Sequence, residues 1–415
     1  MARNRVIYQS QALFIAPSST GCQVSGSGFG PVSYGPTGPG VLTGGASLLK
    51  KLDRVQNCNF NFTINRQDIN EFGKLARLDS IVMESPTVGL DFSYYVTDGL
   101  NERLMGFNMF SPNDTANTVL TAQSISGLLQ DLEGNNYYIL TVQEGEDVVG
   151  TPTSTTPANT NTIVGIGNGF INEYSFEATV GAIPTASVSV EAFNIKADSL
   201  IGTSDGVMTG TSPAINILTN PAAKFTGYET AYMLSGAFTT GVSTVTALRP
   251  GDIVLDLPST TDGMINISGA NKAHIQSFSF TIPLSRTILQ RLGNTFGFAR
   301  VINVPINMDV TISAIVSELK TMNLFDKLTS AYKNNFTITL NDSNSTQKVV
   351  YGISGAILSS ETYSENLGDN QTVDLTFALQ LGGANDTQNG VFMSGSYPAD
   401  NIVKDFYKLG SGKLS

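Results

Sequence analysis

The chain has little charge. Asp, Glu, Lys and Arg make up 14% of its 415 residues, against about a quarter in an ordinary globular domain. Its surface must therefore be largely Ser, Thr, Asn, Gln and Gly, which resist association weakly. The charge present leans acidic, 34 carboxylates against 23 Lys and Arg for a net −11. That balance excludes functions that rest on a basic face neutralising phosphates. One histidine, His274, and two cysteines, Cys22 and Cys58, leave few groups for acid–base catalysis or transition-metal ligation. The cysteines stand 58 − 22 = 36 positions apart without a CxxC or HxxxH companion, so neither a metal nor a cofactor is expected. No run approaches the ~18 apolar residues of a membrane-spanning helix. The opening MARNRVIYQSQ has no apolar signal core, so synthesis in a reducing cytoplasm is expected, with both thiols free and buried and His274 a partly buried strand residue.

What the sequence does contain is an internal repeat. Val55-Gln-Asn-Cys-Asn-Phe60, Asn65-Arg66 and Phe72-Gly73 return as Ile275-Gln-Ser-Phe-Ser-Phe280, Ser285-Arg286 and Leu292-Gly293, at a constant offset of 220 residues (280 − 60, 293 − 73). The same offset carries Tyr8-Gln-Ser-Gln onto Tyr228-Glu-Thr-Ala and Thr20-Gly21 onto Thr240-Gly241. Further along the offset drifts, as surface-loop insertions in one copy would cause. Two alternating runs then match, with Val88, Leu90, Phe92, Tyr94 and Val96 set against Ile306, Met308, Val310, Ile312 and Ala314. A period of two predicts half-buried strands. Apolar spacings of three and four predict a short helix through Ile125, Leu128, Leu129 and Leu132, and another through Leu319, Met322, Phe325, Leu328 and Tyr332. Asn135-Asn136 and Asn334-Asn335 each introduce a predicted hairpin. Long β stretches close each half, Glu173–Ile195 and Gly352–Leu381, with Val188, Val190 and Ala192 set against Val373, Leu375 and Phe377. The fold class is therefore mainly β, in two tandem domains at 1–200 and 221–415. Between them 201–220 has the composition of a linker.

Two loops rich in Gly, Pro, Ser and Thr stand out, Pro17–Ser47 and Thr151–Asn168. Their composition suits plain surface loops. The apolar residues set into the first, Phe29, Val32, Tyr34 and Val41 among them, would equally suit a clasp on a neighbouring subunit, and Thr155 and Asn161 are the corresponding candidates in the second. GSGFG, GPTGPG and GIGNG lack the surroundings of a phosphate-binding loop and are read as turns. The acidic cluster Asp131, Glu133, Glu144, Glu146 and Asp147 lacks calcium-loop spacing and is read as a solvated face. No nucleophile–base pair stands out, so no enzyme activity is expected.

The run RVQNCNFNFTINRQDINEFGKLARLDSIVMESPTVGLDFSYYVTDGLNERLMGF, with the closing YSFEATVGAIPTASVSVEAFNIKAD, resembles tail tube (major tail) proteins of long-tailed bacteriophages. The resemblance covers most of both halves. It implies that each half is a β-sandwich or barrel with a flanking helix, and that the chain stacks as rings into a hollow tube conducting DNA into the host. A duplicated chain implies three copies per ring, giving six pseudo-equivalent positions. Implied partners are further copies of itself and other tail proteins: the tape measure, terminator, tail tip or baseplate, with a sheath as a further one. DNA would be a passing duplex, the setting the virion, and membrane insertion absent. On this reading the polar faces of the two alternating strands, with Asp91, Ser93 and Tyr95 on one and Asp309, Thr311 and Ser313 on the other, line either the lumen or a subunit contact. The alternatives are a β-rich adhesin or receptor-binding module, or another virion structural protein.

Overall fold

The fold is that of a computed structural model. It describes residues 11–17, 32–35, 38–41, 50–110, 123–129, 134–141, 161–204, 207–213, 229–233, 253–256, 274–290, 299–316, 333–342, 346–365, 370–383 and 386–396, with a few single positions between them. The first half runs β1 (Gln11–Pro17), β2 (Val32–Gly35), β3 (Gly38–Val41), β4 (Lys50–Lys51), β5 (Val55–Thr63), β6 (Arg66–Ile69), β7 (Asp79–Val82), β8 (Thr87–Tyr95), α1 (Leu100–Met105), β9 (Met109–Phe110), α2 (Ser126–Leu129), β10 (Asn135–Thr141), β11 (Asn161–Thr179), β12 (Thr185–Ala192) and β13 (Asn194–Ser204). There follow β14 (Val207–Pro213), β15 (Glu229–Met233), β16 (Ile253–Asp256), β17 (His274–Pro283), β18 (Arg286–Leu289), β19 (Ala299–Ile302), β20 (Ile306–Ile315), β21 (Asn334–Asn341), β22 (Gln347–Ser364), β23 (Thr372–Leu381) and β24 (Gly390–Gly395).

Strands rich in Val, Ile, Phe and Thr with a period of two bury one face, and here that face is shared by both halves. One long antiparallel sheet runs β5-β8-β12-β11-β17-β20-β23-β22. Its inner face carries Leu90, Phe92, Val188, Val190, Phe176, Phe280, Val310, Ile312, Leu375 and Phe377, all buried. Against it stand two shorter sheets, β1-β10-β11-β13 from the first half and β16-β21-β22-β24 from the second. Tyr137, Ile139, Ile338 and Tyr351 of these sheets join the same core. Two sheets face to face is the packing of a sandwich.

The two halves match in their irregularities as well as in strand order. β5 and β17 bulge at the same place, between Val55 and Asn57 and between Ile275 and Ser277, 220 residues apart. β11 and β22 are each shared between a short sheet and the long one, and each turns the corner at a residue with positive φ, Asn168 (54°) or Gly355 (85°). At that corner the backbone N–H donates to an asparagine side chain, from Asn168 to Asn136 at 3.2 Å and from Gly355 to Asn335 at 3.0 Å. The repeated Asn-Asn pair is thus the fastening of the bent strand. It also bounds a hairpin as expected in the second half, β21–β22, closed by Asp342 N–H to the Thr346 carbonyl at 2.9 Å.

Several expectations are corrected. GIGNG is no turn; it lies inside the 19-residue β11, so Asn161–Asn168 are strand rather than loop. The stretch 201–220 expected to be linker carries the end of β13 and all of β14, paired with each other. Pairing through β12 and β23 sets Val188 against Leu375 and Val190 against Phe377, and Leu90 against Val310, so both sequence matches slip by two residues on the correct face. In the place of β1 the second half puts β16, with Leu255 matching Leu13, an offset of 255 − 13 = 242 rather than 220. Of the predicted helices, the first is the single turn α2; of the second only Leu319 is described, an exposed residue in a β-bridge, and the rest lies outside the described residues. The six-residue α1 was not foreseen; it begins after Gly99 and stops at Gly106, both left-handed.

Candidate functional site

The outer face of the long sheet is the first candidate surface. It carries Asn57, Asn59 and Asn61 from β5, Asp91, Ser93 and Tyr95 from β8, and Ser187, Ser189 and Glu191 from β12. β11 adds Glu173, Ser175 and Glu177, and the second half adds Ser279, Asp309, Thr311, Ser313, Asp374 and Thr376. Every expected lumen residue, Asp91, Ser93, Asp309 and Thr311, lies on this one face, and Asp91 and Asp309 are exposed. The charges that the eight strands place on it are carboxylates; His274 stands exposed at the start of β17, and Lys348 lies in the part of β22 that pairs within the short sheet. Hydroxyls and amides tie neighbouring strands: Asn57 donates to Ser93 Oγ at 2.6 Å, Ser313 to Asp374 at 2.6 Å, and Gln380 to Asn307 at 3.1 Å.

The second feature is the pair of ends of that sheet. Among the described residues β5 pairs on one side only, with β8, and the last part of β22, from Ile357 to Ser364, pairs only with β23. β5 also shows its apolar side chains: Phe60 is 45% and Phe62 61% exposed. Their repeat partners Phe280 and Ile282 are 1% and 0% exposed, because β17 is covered by β11 of the other half. The hairpin that follows behaves in the same way. β18–β19 is docked on the first half, whereas its counterpart β6–β7 stands out, with Phe72, Leu75, Ile81, Val82 and Met83 exposed on it or beside it.

The joint between the halves shows what such a docking is made of. Phe176 lies opposite Phe280, and Tyr174 opposite Ile282. Phe176 packs on Tyr351 with centroids 4.5 Å apart and on Phe280 at 5.5 Å. Arg286 donates to the Leu128 carbonyl at the end of α2, at 2.6 Å. Arg300, buried, pairs with Glu191 at 3.0 Å, donates to the Glu191 and Ala192 carbonyls, and stacks on Phe193 at 4.0 Å. Burial draws the Arg300 guanidinium down to about 10, against the opposing pull of Glu191. Beneath the joint lies a buried polar chain: Tyr94 and Tyr174 both donate to Glu102 Oε1, at 2.8 and 3.2 Å, and the Tyr174 and Tyr351 hydroxyls are 3.2 Å apart. Desolvation raises the Glu102 carboxyl above its ordinary range, partly offset by the hydrogen bonds it accepts.

The remaining sequence candidates are less informative. Val32, Tyr34 and Val41 sit in the β2–β3 hairpin, with Val32 opposite Val41. Asn161 opens β11 opposite Ile201. Phe29, Thr155, Cys22 and the acidic cluster at 131–147 lie outside the described residues. Cys58 is free and half-buried on the β5 edge, with burial pushing its thiol up to about 12. His274 is exposed at the start of β17, not partly buried, because it sits at the strand's open end. The free sheet edges were missed by sequence reading. The signal was available in Phe60 and Phe62 matching buried residues 220 positions on.

No protein-family model matches the chain, and no curated protein matches it in sequence. Similar solved structures include a chain from the cryo-EM structure of the anti-feeding prophage (AFP) baseplate, 6-fold symmetrised. It is 17% identical and the match covers 35% of this chain and 91% of that one, at a TM-score of 0.22.

Proposed function

We propose that the chain is a structural tail protein of a phage-like particle, three copies closing into a ring and rings stacking into a hollow tube through which duplex DNA passes. The observation that carries this reading is the outer face of the long sheet, broad, hydroxyl- and amide-rich, and bearing carboxylates but no Lys or Arg among the described residues of the strands where they pair in that sheet. Such a wall repels a polyanion weakly and binds it not at all, since duplex binding comes from cations that displace counterions. A tube must let its cargo slide. The two open ends of the sheet support the ring, because closure into a barrel is the one arrangement that leaves no edge strand.

Size agrees with the cargo. Three chains of eight strands each give 24. At ~4.8 Å between strands and ordinary barrel tilt, 24 strands close at a backbone diameter of about 50 Å, beyond the 16–18 strands that already leave an aqueous channel. That leaves room for a duplex inside the side chains. The protein performs no chemistry in this role, and its partners are copies of itself and the other tail proteins.

Negative-stain microscopy with mass measurement tests the reading. Rings or tubes with a central channel and a mass of three chains per ring are expected. A protein that stays monomeric at high concentration and binds host surface components would instead support an adhesin.

A further inference from the structure

We propose that the free edge of β22 receives β5 and the β6–β7 hairpin of a second copy of this chain, in the register β17 and β18–β19 use against β11 within one chain, as the weaker of the two joints. This names the partner and contact behind the ring reading and rests on it.

The register follows from pairings already present. Tracing β11 to β12 to β8, and β22 to β23 to β20, makes Phe176 equivalent to Tyr363, Glu177 to Ser364, Tyr174 to Glu361 and Phe170 to Ile357. Within one chain Phe176 faces Phe280 and Glu177 faces Ser279. Across two copies, therefore, Tyr363 faces Phe60 and Ser364 faces Asn59. Each chain leaves one apolar donor, the exposed Phe60 and Phe62, and one apolar acceptor, Tyr363 and the exposed Ile357. The match is head to tail, so it propagates in one direction and closes only as a ring.

The joint between copies keeps the counterpart of Arg286, Arg66, but lacks the buried ion pair that fixes the joint within a chain. Arg300 is equivalent to Ser80, and Glu191 to Ala378. Both members of the ion pair are gone together, so neither surface is left with one charge of that pair. Where Tyr174 joins the buried hydroxyl chain, β22 has Glu361, an inward carboxylate that accepts from Tyr363 at 2.7 Å. An inward charge on an edge strand discourages indiscriminate pairing. The two halves of a chain are thus held firmly, and chains join each other more weakly, so a folded two-lobed unit exists before rings form.

Cysteine pairing tests the register. In a Cys22→Ser, Cys58→Ala background, Asn59→Cys with Ser364→Cys should cross-link copies under mild oxidation, and Asn59→Cys with Ser360→Cys should not. Within one chain positions 59 and 364 lie at opposite ends of the long sheet, roughly 30 Å apart at ~4.8 Å per strand, so any bond is between copies. Rings or tubes without the 59–364 bond, or with equal cross-linking of both pairs, would overturn the joint and leave the tube reading standing. Monomer without any bond would overturn both. The weakness of the joint has its own test: Ser80→Arg together with Ala378→Glu should lower the concentration needed for assembly by about tenfold or more, as close interfacial charge pairs do, and neither single change should. An unchanged concentration in a double variant that folds and cross-links normally would overturn the claim that the missing pair sets the weakness.

Discussion

Phe60 and Phe280 hold matching places in β5 and β17, opposite Leu90 and Val310, and truncating each to alanine should do different things. Phe280 is 1% exposed and packs on Phe176 and Tyr351, both at 5.5 Å. Its loss leaves a cavity inside the folded chain and should cost about 3–5 kcal/mol of folding stability. Phe60 is 45% exposed, so its loss should cost folding about half as much. The exposed part is what a neighbouring copy would cover. A phenylalanine offers about 200 Å², so about 90 Å² remains, worth about 2 kcal/mol per joint at ~25 cal/mol per Å². That is roughly a thirtyfold weakening of each joint. Thermal or urea unfolding below the assembly concentration reads the first quantity, and sedimentation across a concentration series reads the second. The reasoning fails if Phe60→Ala destabilises the monomer as much as Phe280→Ala does while assembly proceeds at the wild-type concentration.

Four further outcomes are expected. Because burial raises the folded-state carboxyl of Glu102 above its ordinary 4.5, the folded chain holds that proton more tightly than the unfolded one. Its contribution to stability is then full below pH 4.5 and declines as pH rises through the raised value. Glu102→Gln, which keeps an acceptor for Tyr94 and Tyr174, should flatten that part of the profile, and an unchanged slope in denaturation series from pH 4 to 8 would count against it. Glu191→Ala removes the charged partner of Arg300 and should cost about 1.5–3 kcal/mol in chemical denaturation. Arg300→Ala should cost more, since it also loses the stack on Phe193 and two carbonyl bonds. Gly355→Ala should destabilise by more than about 1 kcal/mol, because φ is 85° and a Cβ there would meet the Gln388 carbonyl oxygen; a neutral change in melting temperature would contradict the strand corner. Asp91→Lys with Asp309→Lys should leave tubes intact and give them DNA binding that weakens steeply with salt; tubes that bind no DNA in a low-salt shift assay would remove these residues from the lumen.

The sequence by itself determined the mainly β class, the 220-residue repeat and the alternating faces of β8 and β20, because strand periodicity and duplicated residues are local properties that survive without contacts. It also placed Asp91, Ser93, Asp309 and Thr311 on polar faces, and marked the Asn-Asn pairs as recurring punctuation. Their role as fasteners of a bent strand was not legible, since Asn136 and Asn168 meet at a separation of 32 positions. For the same reason GIGNG read as a turn: glycines and a left-handed asparagine mark a sharp change of direction whether the chain reverses or one strand passes between two sheets. The two-residue slips in matching β8 to β20 and β12 to β23 arose because a period of two looks identical after a shift of two, and only the ladder of partners fixes the register. Tertiary structure alone decided that the halves join head to tail through β11 and β17. That order buries Phe280 and Ile282 while leaving Phe60 and Phe62 uncovered, because a linear row of paired strands always has two ends.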